Sequence, residues 1–330
     1  MNDSPADCLH RVLLQALLHE SVHVATFAAA HGLSQDALCG HIEALRQSGI
    51  EIIATGTGEY TLAQPLELLD AKAVRGQLSA KAQAGLESLH VVWQTASTND
   101  VLLAQPVPAR GSRVLLAEQQ TAGRGRRGRH WASPLAANLY LSLDRRFTGG
   151  LARLSGLSLV AGIAVAEALR QHTGLDVRLK WPNDLWLAGR KLGGLLVEGG
   201  SEPGGAARAV IGLGLNVRMP PVFAQHIDQA WVDLAGALGQ LPSRNALLAA
   251  LLEHVLPALE AFDAQGLPPF LSRWQALDAL AGHHVQVKAA TGDFHARVLG
   301  LAENGGLRVL AANGEQVLYS GEVSVRASDA

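Results

Sequence analysis

The sequence predicts an α+β chain with three unlike parts, and three observations carry that prediction. Helical segments with periodic apolar residues fill the first fifty positions and end in a short hairpin pattern. From Leu89 to about residue 278, strands and helices alternate irregularly, with hairpins rather than long crossovers between strands. The last fifty residues change again, to short strands separated by Gly and Asn turns. A mixed order with hairpins favours a central mixed, largely antiparallel sheet with helices over a doubly wound parallel one. With 330 residues, 48% of them hydrophobic, the chain has room for two or three domains and a sizeable core.

Each element follows from a local pattern. Residues 9–18 and 24–31 have helical spacing, and Leu33 and Ser34 open a third helix that runs to about Ser48. Residues 50–54 then alternate as a strand, TGTGE at 55–59 supplies a turn, and residues 60–63 return. Three helices followed by a hairpin make a winged helix-turn-helix pattern, assigned to residues 1–64, with the segment from Ser34 to Arg46 as its recognition helix. A small helical bundle with no nucleic-acid role is the plainer alternative. Residues 65–87 read as a partly helical connecting segment. The central domain, 88–278, holds strands near 91–94, 113–118, 138–143, 177–181 and 209–215, a hairpin over 185–198, and its longest helix over 155–172. A second helix over 245–262 carries Pro257, which lacks a backbone donor and predicts a kink or break. Residues 279–330 contain five short strands, expected as a small β-barrel.

The totals exclude several classes. A net charge of −2 and an isoelectric point near 6.7 give no global attraction to nucleic acid or membrane, so anion binding must come from local clusters. Cys8 and Cys39 form no CxxC pair, which argues against a disulfide framework or zinc knuckle and for a reducing cytoplasm. The opening MNDSPADCLHRV has no basic flank before an apolar core, and the longest uncharged apolar stretch, 154–166, is too short to span a bilayer. Neither export nor membrane insertion is expected.

Two segments carry chemistry. GRGRRGRHW at 123–131 places Gly123, Gly125 and Gly128 in a literal GxGxxG. A dinucleotide fingerprint should lead straight into a helix, whereas this one runs into Pro134 and a strand-like stretch. What remains is a loop with Arg124, Arg126, Arg127 and Arg129, able to wrap an anion with guanidinium forks. A solvated basic loop fits the same residues. GxxxxGK[ST] is absent, so a nucleotide site in this chain is not a P-loop. In KWPNDLWLAGRKLGGLLVE at 180–198, Pro182 and Asn183 form a stiff turn that aims Asp184 from a strand end. Gly189 reverses the chain and brings Lys191 beside the strand holding Lys180, so two ammonium groups and an acid are expected to meet. Gly193 and Gly194 leave room for close approach by a ligand. A plain hairpin with surface lysines is the alternative.

Taken together these segments resemble the biotin–protein ligases. That family carries an STN segment, a GRGRRG loop, a KWPNDL strand followed by a lysine, and a GxGxN strand. Here they stand at Ser97-Thr98-Asn99, at 123–128, at 180–185 with Lys191, and at Gly212, Gly214 and Asn216. The likeness covers nearly the whole chain and matches the bifunctional, repressor-type bacterial form. It implies a class II synthetase-like ligase domain and a C-terminal SH3-like β-barrel. It further implies that biotin and ATP are substrates, that biotinyl-5′-AMP forms, and that biotin passes to a lysine of a biotin carboxyl carrier protein of acetyl-CoA carboxylase. Mg2+ would arrive with ATP rather than sit in a protein cage.

By the same resemblance, Ser97, Thr98, Asn99, Gln120, Arg124, Gly125, Arg126 and Lys191 would bind biotin. Arg124, Arg126, Trp131, Lys180, Asn183, Asn216 and Trp231 would bind ATP or the adenylate, and Lys191, Asp184 and Arg126 would act in catalysis. A homodimer on adenylate binding is also implied. The demand is physically sensible, since joining a carboxylate to a phosphate brings two anions together and needs preorganised positive charge.

The N-terminal part departs from a DNA-binding profile. Residues 1–64 hold seven carboxylates against two arginines, a balance of −5, where phosphate neutralisation would need the opposite sign. Asp36 stands near the start of the recognition helix, and TGTGE offers no lysine or arginine. Five histidines, at 10, 19, 23, 31 and 41, add charge only at low pH. Operator binding therefore stays open, and the domain serves equally well to order the catalytic part. The alternatives to a ligase are a biotin-sensing regulator without efficient transfer, and a lipoate–protein ligase, whose glycine-rich loop would be expected to differ from GRGRRG.

Overall fold

The computed structural model describes residues 5–202, 204–289, 292–319 and 323–327. The N-terminal unit runs α1 (Pro5–His19), β1 (Val22–His23), α2 (Val24–Ala30), α3 (Gln35–Gln47), β2 (Ile52–Gly56) and β3 (Glu59–Leu62). Ser34 starts α3 by accepting a hydrogen bond from the Ala37 amide at 3.1 Å, the expected N-cap chemistry. Thr57 and Gly58, the latter at φ +78°, turn β2 into β3, and β1 pairs with β3 to complete a three-stranded antiparallel sheet. Leu13, Leu14, Leu17, Leu38, Ile42 and Leu45 form its core.

That core is not closed by the N-terminal unit alone. Trp93, Leu135 and Ala136, from the central part of the chain, belong to it. The Leu135 amide donates to the Ser48 carbonyl at 2.9 Å. A Cβ on Gly49 would lie 3.0 Å from Pro220 and 3.2 Å from Pro134, so the two parts meet across a glycine with no room for a side chain.

Two short helices follow, α4 (Ala71–Gly76) and α5 (Ala80–Ala84), and Leu69, Val74, Leu78 and Ala82 of this stretch sit in the main core. The central elements are β4 (Leu86–Thr95), α6 (Thr98–Leu103), β5 (Ser112–Gln120), β6 (Leu139–Phe147), α7 (Leu157–Thr173), β7 (Arg178–Lys180), β8 (Asp184–Leu187), β9 (Arg190–Ser201) and β10 (Ala207–Leu215). After them come α8 (Pro221–Ala224), α9 (Leu234–Leu238), α10 (Arg244–Gln265) and α11 (Leu271–Leu277). The seven-stranded sheet has the order β4-β5-β6-β10-β9-β8-β7, parallel only between β4 and β5. This is the expected mixed, largely antiparallel sheet.

Period-two alternation sorts the two faces. On β10, Ala209, Ile211, Leu213 and Leu215 face α7 and α10 in the main core, while Val210 faces α6 with Leu102 and Leu115. On β6, Leu139, Leu141 and Leu143 join the main core. The glycines and polar side chains at the intervening positions are left for the opposite face.

Two helix expectations need correction. The longest helix is α10, of 22 residues, not α7, of 17. It also runs unbroken through Pro257. Leu256, Leu259 and Phe262 are buried on both sides of the proline, and this tertiary packing outweighs the missing backbone bond. Among the described residues α10 is the one helix long and apolar enough to cross a membrane, yet it packs on α7 inside the core.

The C-terminal strands are β11 (His284–Ala289), β12 (Phe294–Leu301), β13 (Leu307–Ala311), β14 (Gly314–Leu318) and β15 (Val323–Ala327). They form an antiparallel sheet in the order β14-β13-β12-β11-β15. Trp181 Nε1 donates to the Gly305 carbonyl at 3.1 Å, tying this sheet to the central part.

Candidate active site

The floor of the site is a row of residues paired across four strands. Asp184 on β8 lies opposite Gly194 on β9, Gly194 opposite Gly214 on β10, and Gly214 opposite Tyr140 on β6. The next row sets Leu196, Gly212 and Ser142 side by side. Both β10 glycines are covered by a side chain. A Cβ at 212 would fall 2.6 Å from Asn99 Oδ1, and one at 214 would fall 2.6 Å from Trp131 Cζ2 and Nε1. The GxGxN strand is thus glycine-rich because the side chains of Asn99 and Trp131 rest directly on its backbone.

The STN segment caps and opens α6, with Ser97 as N-cap, and all three side chains are buried. Gln120 Oε1 accepts from the Thr98 amide at 2.9 Å and from Thr98 Oγ1 at 3.1 Å. Ser142 Oγ donates to Asn99 Oδ1 at 2.6 Å and lies 2.7 Å from Thr98 Oγ1. Asn99 Nδ2 donates to Glu198 Oε2 at 2.7 Å, which fixes the direction of its carboxamide. The result is a closed polar pocket wall. Ser142 and Glu198 belong to it and were missed from sequence, although the alternation Asn138, Tyr140, Ser142, Asp144 between leucines signals a polar face.

The arginine loop is a short hairpin. Arg124 and His130 form a bridge, Gly125 N donates to the Arg129 carbonyl at 2.7 Å, and Arg127 takes a left-handed φ of 58°. Arg124 forks onto both oxygens of Asp100, and its Nη2 lies 3.6 Å from Glu198. The hydrogen bond to Asp100 raises the Arg124 pKa above its ordinary value. Arg126 is half-buried and donates to Asn183 Oδ1 at 3.2 Å. Burial first, and Arg127 second, lower its pKa, against the pull of Asp184. The Arg126 guanidinium is therefore aimed at the turn that precedes Asp184.

Lys191 Nζ lies 2.9 Å from Asp184 Oδ1 and 5.6 Å from the centre of the Trp131 ring. A bulge in the β8–β9 pairing, between Leu185 and Trp186, puts Lys191 on this face. Lys180 lies directly across the strands from Asp184 with its Nζ 4.3 Å above the Trp186 ring, and Lys191 forms an ion pair with Asp184. Asn183 is held by its own carboxamide, which donates to the Leu195 carbonyl.

Asn216 ends β10 buried, and its Nδ2 donates to the Val232 carbonyl at 3.2 Å. Trp231 forms a bridge with Lys191, flanked by bonds of 3.0 Å from Lys191 N to the Ala230 carbonyl and from Val232 N to the Lys191 carbonyl. A cavity of about 540 Å3 opens there between Arg190, Trp231 and Gly236. The structure therefore gathers the STN segment, Gln120, the arginine loop, Trp131, Asn183, Asp184, Lys191, Asn216 and Trp231 around one end of one sheet.

Comparison with known proteins agrees. Residues 91–216 match the model of the biotin/lipoate A/B protein ligase family, and residues 281–326 match the biotin protein ligase C terminal domain. The bifunctional ligase/repressor BirA of Escherichia coli is 39% identical over 298 residues, covering 90% of this chain and 91% of that protein. A biotin–[acetyl-CoA-carboxylase] ligase of Paracoccus denitrificans is 32% identical over 234 residues, 70% of this chain and 97% of that one. The Aquifex aeolicus biotin protein ligase, solved with biotin and ATP, superposes with a TM-score of 0.61 at 28% identity, over 74% of this chain and 99% of its own. On these matches, and with both sequence segments folded into one site, the chain belongs to the biotin protein ligase family.

Proposed function

We propose that this protein activates biotin with ATP and transfers it to a lysine of a biotin carboxyl carrier protein. The observation that carries the reading is the Lys191–Asp184 pair, set on a glycine floor between the buried STN–Gln120 wall and the arginine loop. In the first step a biotin carboxylate oxygen attacks the α-phosphorus of ATP, and pyrophosphate leaves. Two anions must approach, and Lys191 and Arg126 supply the fixed positive charge at that point. Mg2+ enters as part of the Mg-ATP substrate. The buried side chains of Ser97, Thr98 and Asn99 and the half-buried carboxamide of Gln120 suit the polar ureido end of biotin, while Trp131, Asn216 and Trp231 frame the nucleotide side. The arginine loop closes over the mixed anhydride and keeps water from it.

In the second step the carrier amine attacks the acyl carbon, the C–N bond forms, AMP leaves, and the amine loses a proton. Asp184 accepts or orients that proton. Incubation with labelled biotin, Mg-ATP and a carrier domain tests the whole reading. Transfer that disappears in Lys191→Ala is the expected result, and acceptance of lipoate in place of biotin would sink it.

The finer architecture follows the same likeness. We read residues 1–64 as a winged helix-turn-helix with the Thr57–Gly58 turn as wing, residues 88–278 as a class II synthetase-like domain, and residues 279–330 as an SH3-like barrel. Among the described residues, β9 from Leu196 to Ser201 pairs only with β10, an open edge suited to a second chain. We place a homodimer contact on that edge, checked by sedimentation with and without biotin and ATP. A cytoplasmic site of action suits both substrates.

A second reading, operator binding, is favoured by likeness to a ligase/repressor over 90% of the chain. Its recognition helix, however, displays Gln35, Asp36, Cys39, Gly40 and Glu43, while Arg46 bonds the Ile52 carbonyl at 3.0 Å and stacks on Tyr60. The one arginine of α3 is thus engaged with the hairpin. Promoter binding measured across salt concentrations, with biotin and ATP present, decides the point: a steep salt slope supports the repressor role and no sequence-specific binding rejects it.

A further inference from the structure

We infer that Asn138 is a positioning residue for the nucleotide half of the site, an inference that rests on the ligase reading and deepens it. Asn138 is fully buried just ahead of β6 and takes no place in the proposed chemistry. Its Oδ1 accepts from the Val217 amide at 2.8 Å and the Arg218 amide at 3.2 Å, the two amides that follow Asn216. Arg218 N has a second acceptor in the Ala137 carbonyl at 3.2 Å, but Val217 N, in a fully buried residue, depends on the carboxamide.

Tyr140, two residues on, reaches the other ligand-bearing loop, its hydroxyl donating to the Pro134 carbonyl at 2.8 Å, three residues beyond Trp131. Asn138 Nδ2 lies 4.0 Å from Met219 Sδ, in the same stretch as Val217 and Arg218. The Asn138 carbonyl accepts from Arg244 Nη1 at 3.2 Å, and Arg244 pairs with the buried Glu118 at 2.8 Å. Asn138 is therefore clamped from behind and holds, in front, the chain that follows Asn216.

The biotin wall is braced differently. Thr98, Asn99 and Gln120 lean on Ser142 and Ser133, and none of their bonds passes through Asn138. Loss of the Asn138 side chain should therefore act on one substrate. A buried amide without its acceptor costs more than an ordinary hydrogen bond contributes, so the turn after Asn216 shifts rather than keeping its place.

Biotin-dependent ATP–pyrophosphate exchange, with calorimetric titration of biotin alone, tests this on the full chain. In Asn138→Ala the KM for ATP is expected to rise ~10-fold, roughly the weight of one buried hydrogen bond, while biotin affinity stays within about twofold. Asn138→Asp, which keeps both acceptor bonds, should stay within about threefold of the native KM for ATP. If Asn138→Ala does not fold, Asn138→Ser takes its place with the same split required. Equal losses for both substrates, an unchanged KM for ATP, or an Asp variant as impaired as the Ala variant would overturn the role. If the native chain shows no biotin-dependent exchange, the ligase reading itself falls and this role with it.

Discussion

Lys191 and Asp184 form an ion pair of 2.9 Å with 15% and 24% of their side chains exposed, so the cation expected to receive two anions already holds one. Removing it leaves Asp184 uncompensated where a carboxylate and a phosphate must meet. Lys191→Ala is expected to lower biotin-dependent pyrophosphate exchange by about 10²–10³-fold, the scale of a lost transition-state donor. Asp184→Asn should separate the half-reactions, sparing exchange but slowing transfer to the carrier domain. An Asp184→Asn variant equally slow in both would remove Asp184 from the second step.

Gly214 is the position at which the floor tolerates least. A methyl group there meets the Trp131 indole at 2.6 Å. Gly214→Ala should push the indole off the sheet, costing about 1–3 kcal/mol as overpacking does. Calorimetry of ligand binding and tryptophan emission check this, and unchanged values for both would refute it.

The Arg124–Asp100 fork is an exposed pair and contributes at most about 1 kcal/mol to stability. Its consequence is local. Asp100→Asn should leave the melting temperature unchanged yet speed tryptic cleavage within 123–130, with biotin and ATP restoring protection. Cleavage at the native rate would show that the fork does not hold the loop.

His10 Nε2 lies 3.1 Å from His41 Nδ1, joining α1 to α3. Burial first, then the His41 ring, hold the His10 pKa below its ordinary 6.5, against Asp7. A depressed histidine means that the unfolded chain takes up the proton first as the pH falls. Stability is therefore present above the unfolded value and declines as pH drops from there toward the lowered folded value. His10→Gln should lose less melting temperature than the native chain between about pH 7.5 and 5.5. Equal losses would assign the decline to other groups.

Much of this was legible in the residues. The mixed sheet followed from hairpin spacing, and the GRGRRG and KWPNDL segments do lie at one site. The path of α10 through Pro257 was not legible, because the packing that sustains it comes from α7, about ninety residues earlier. Lys180 does pair across the strands with Asp184, but the seat of its ammonium over Trp186 was not legible, because it depends on cross-strand register, which spacing alone does not fix. Ser142 and Glu198 were overlooked because each is an ordinary strand residue until Asn99 is set between them.

Trp93, Leu135 and Ala136 complete the core of the N-terminal unit, and Gly49 admits Pro220 and Pro134 against its backbone. Heat should therefore meet one cooperative transition across residues 5–278 rather than two independent ones. A chain cut after residue 64 would uncover a fresh apolar patch beside the strand ends that carry Trp131 and Asn216. By reciprocity, if a ligand at those strand ends changes the affinity of the N-terminal helices for a partner, that partner changes the ligand's affinity by the same factor.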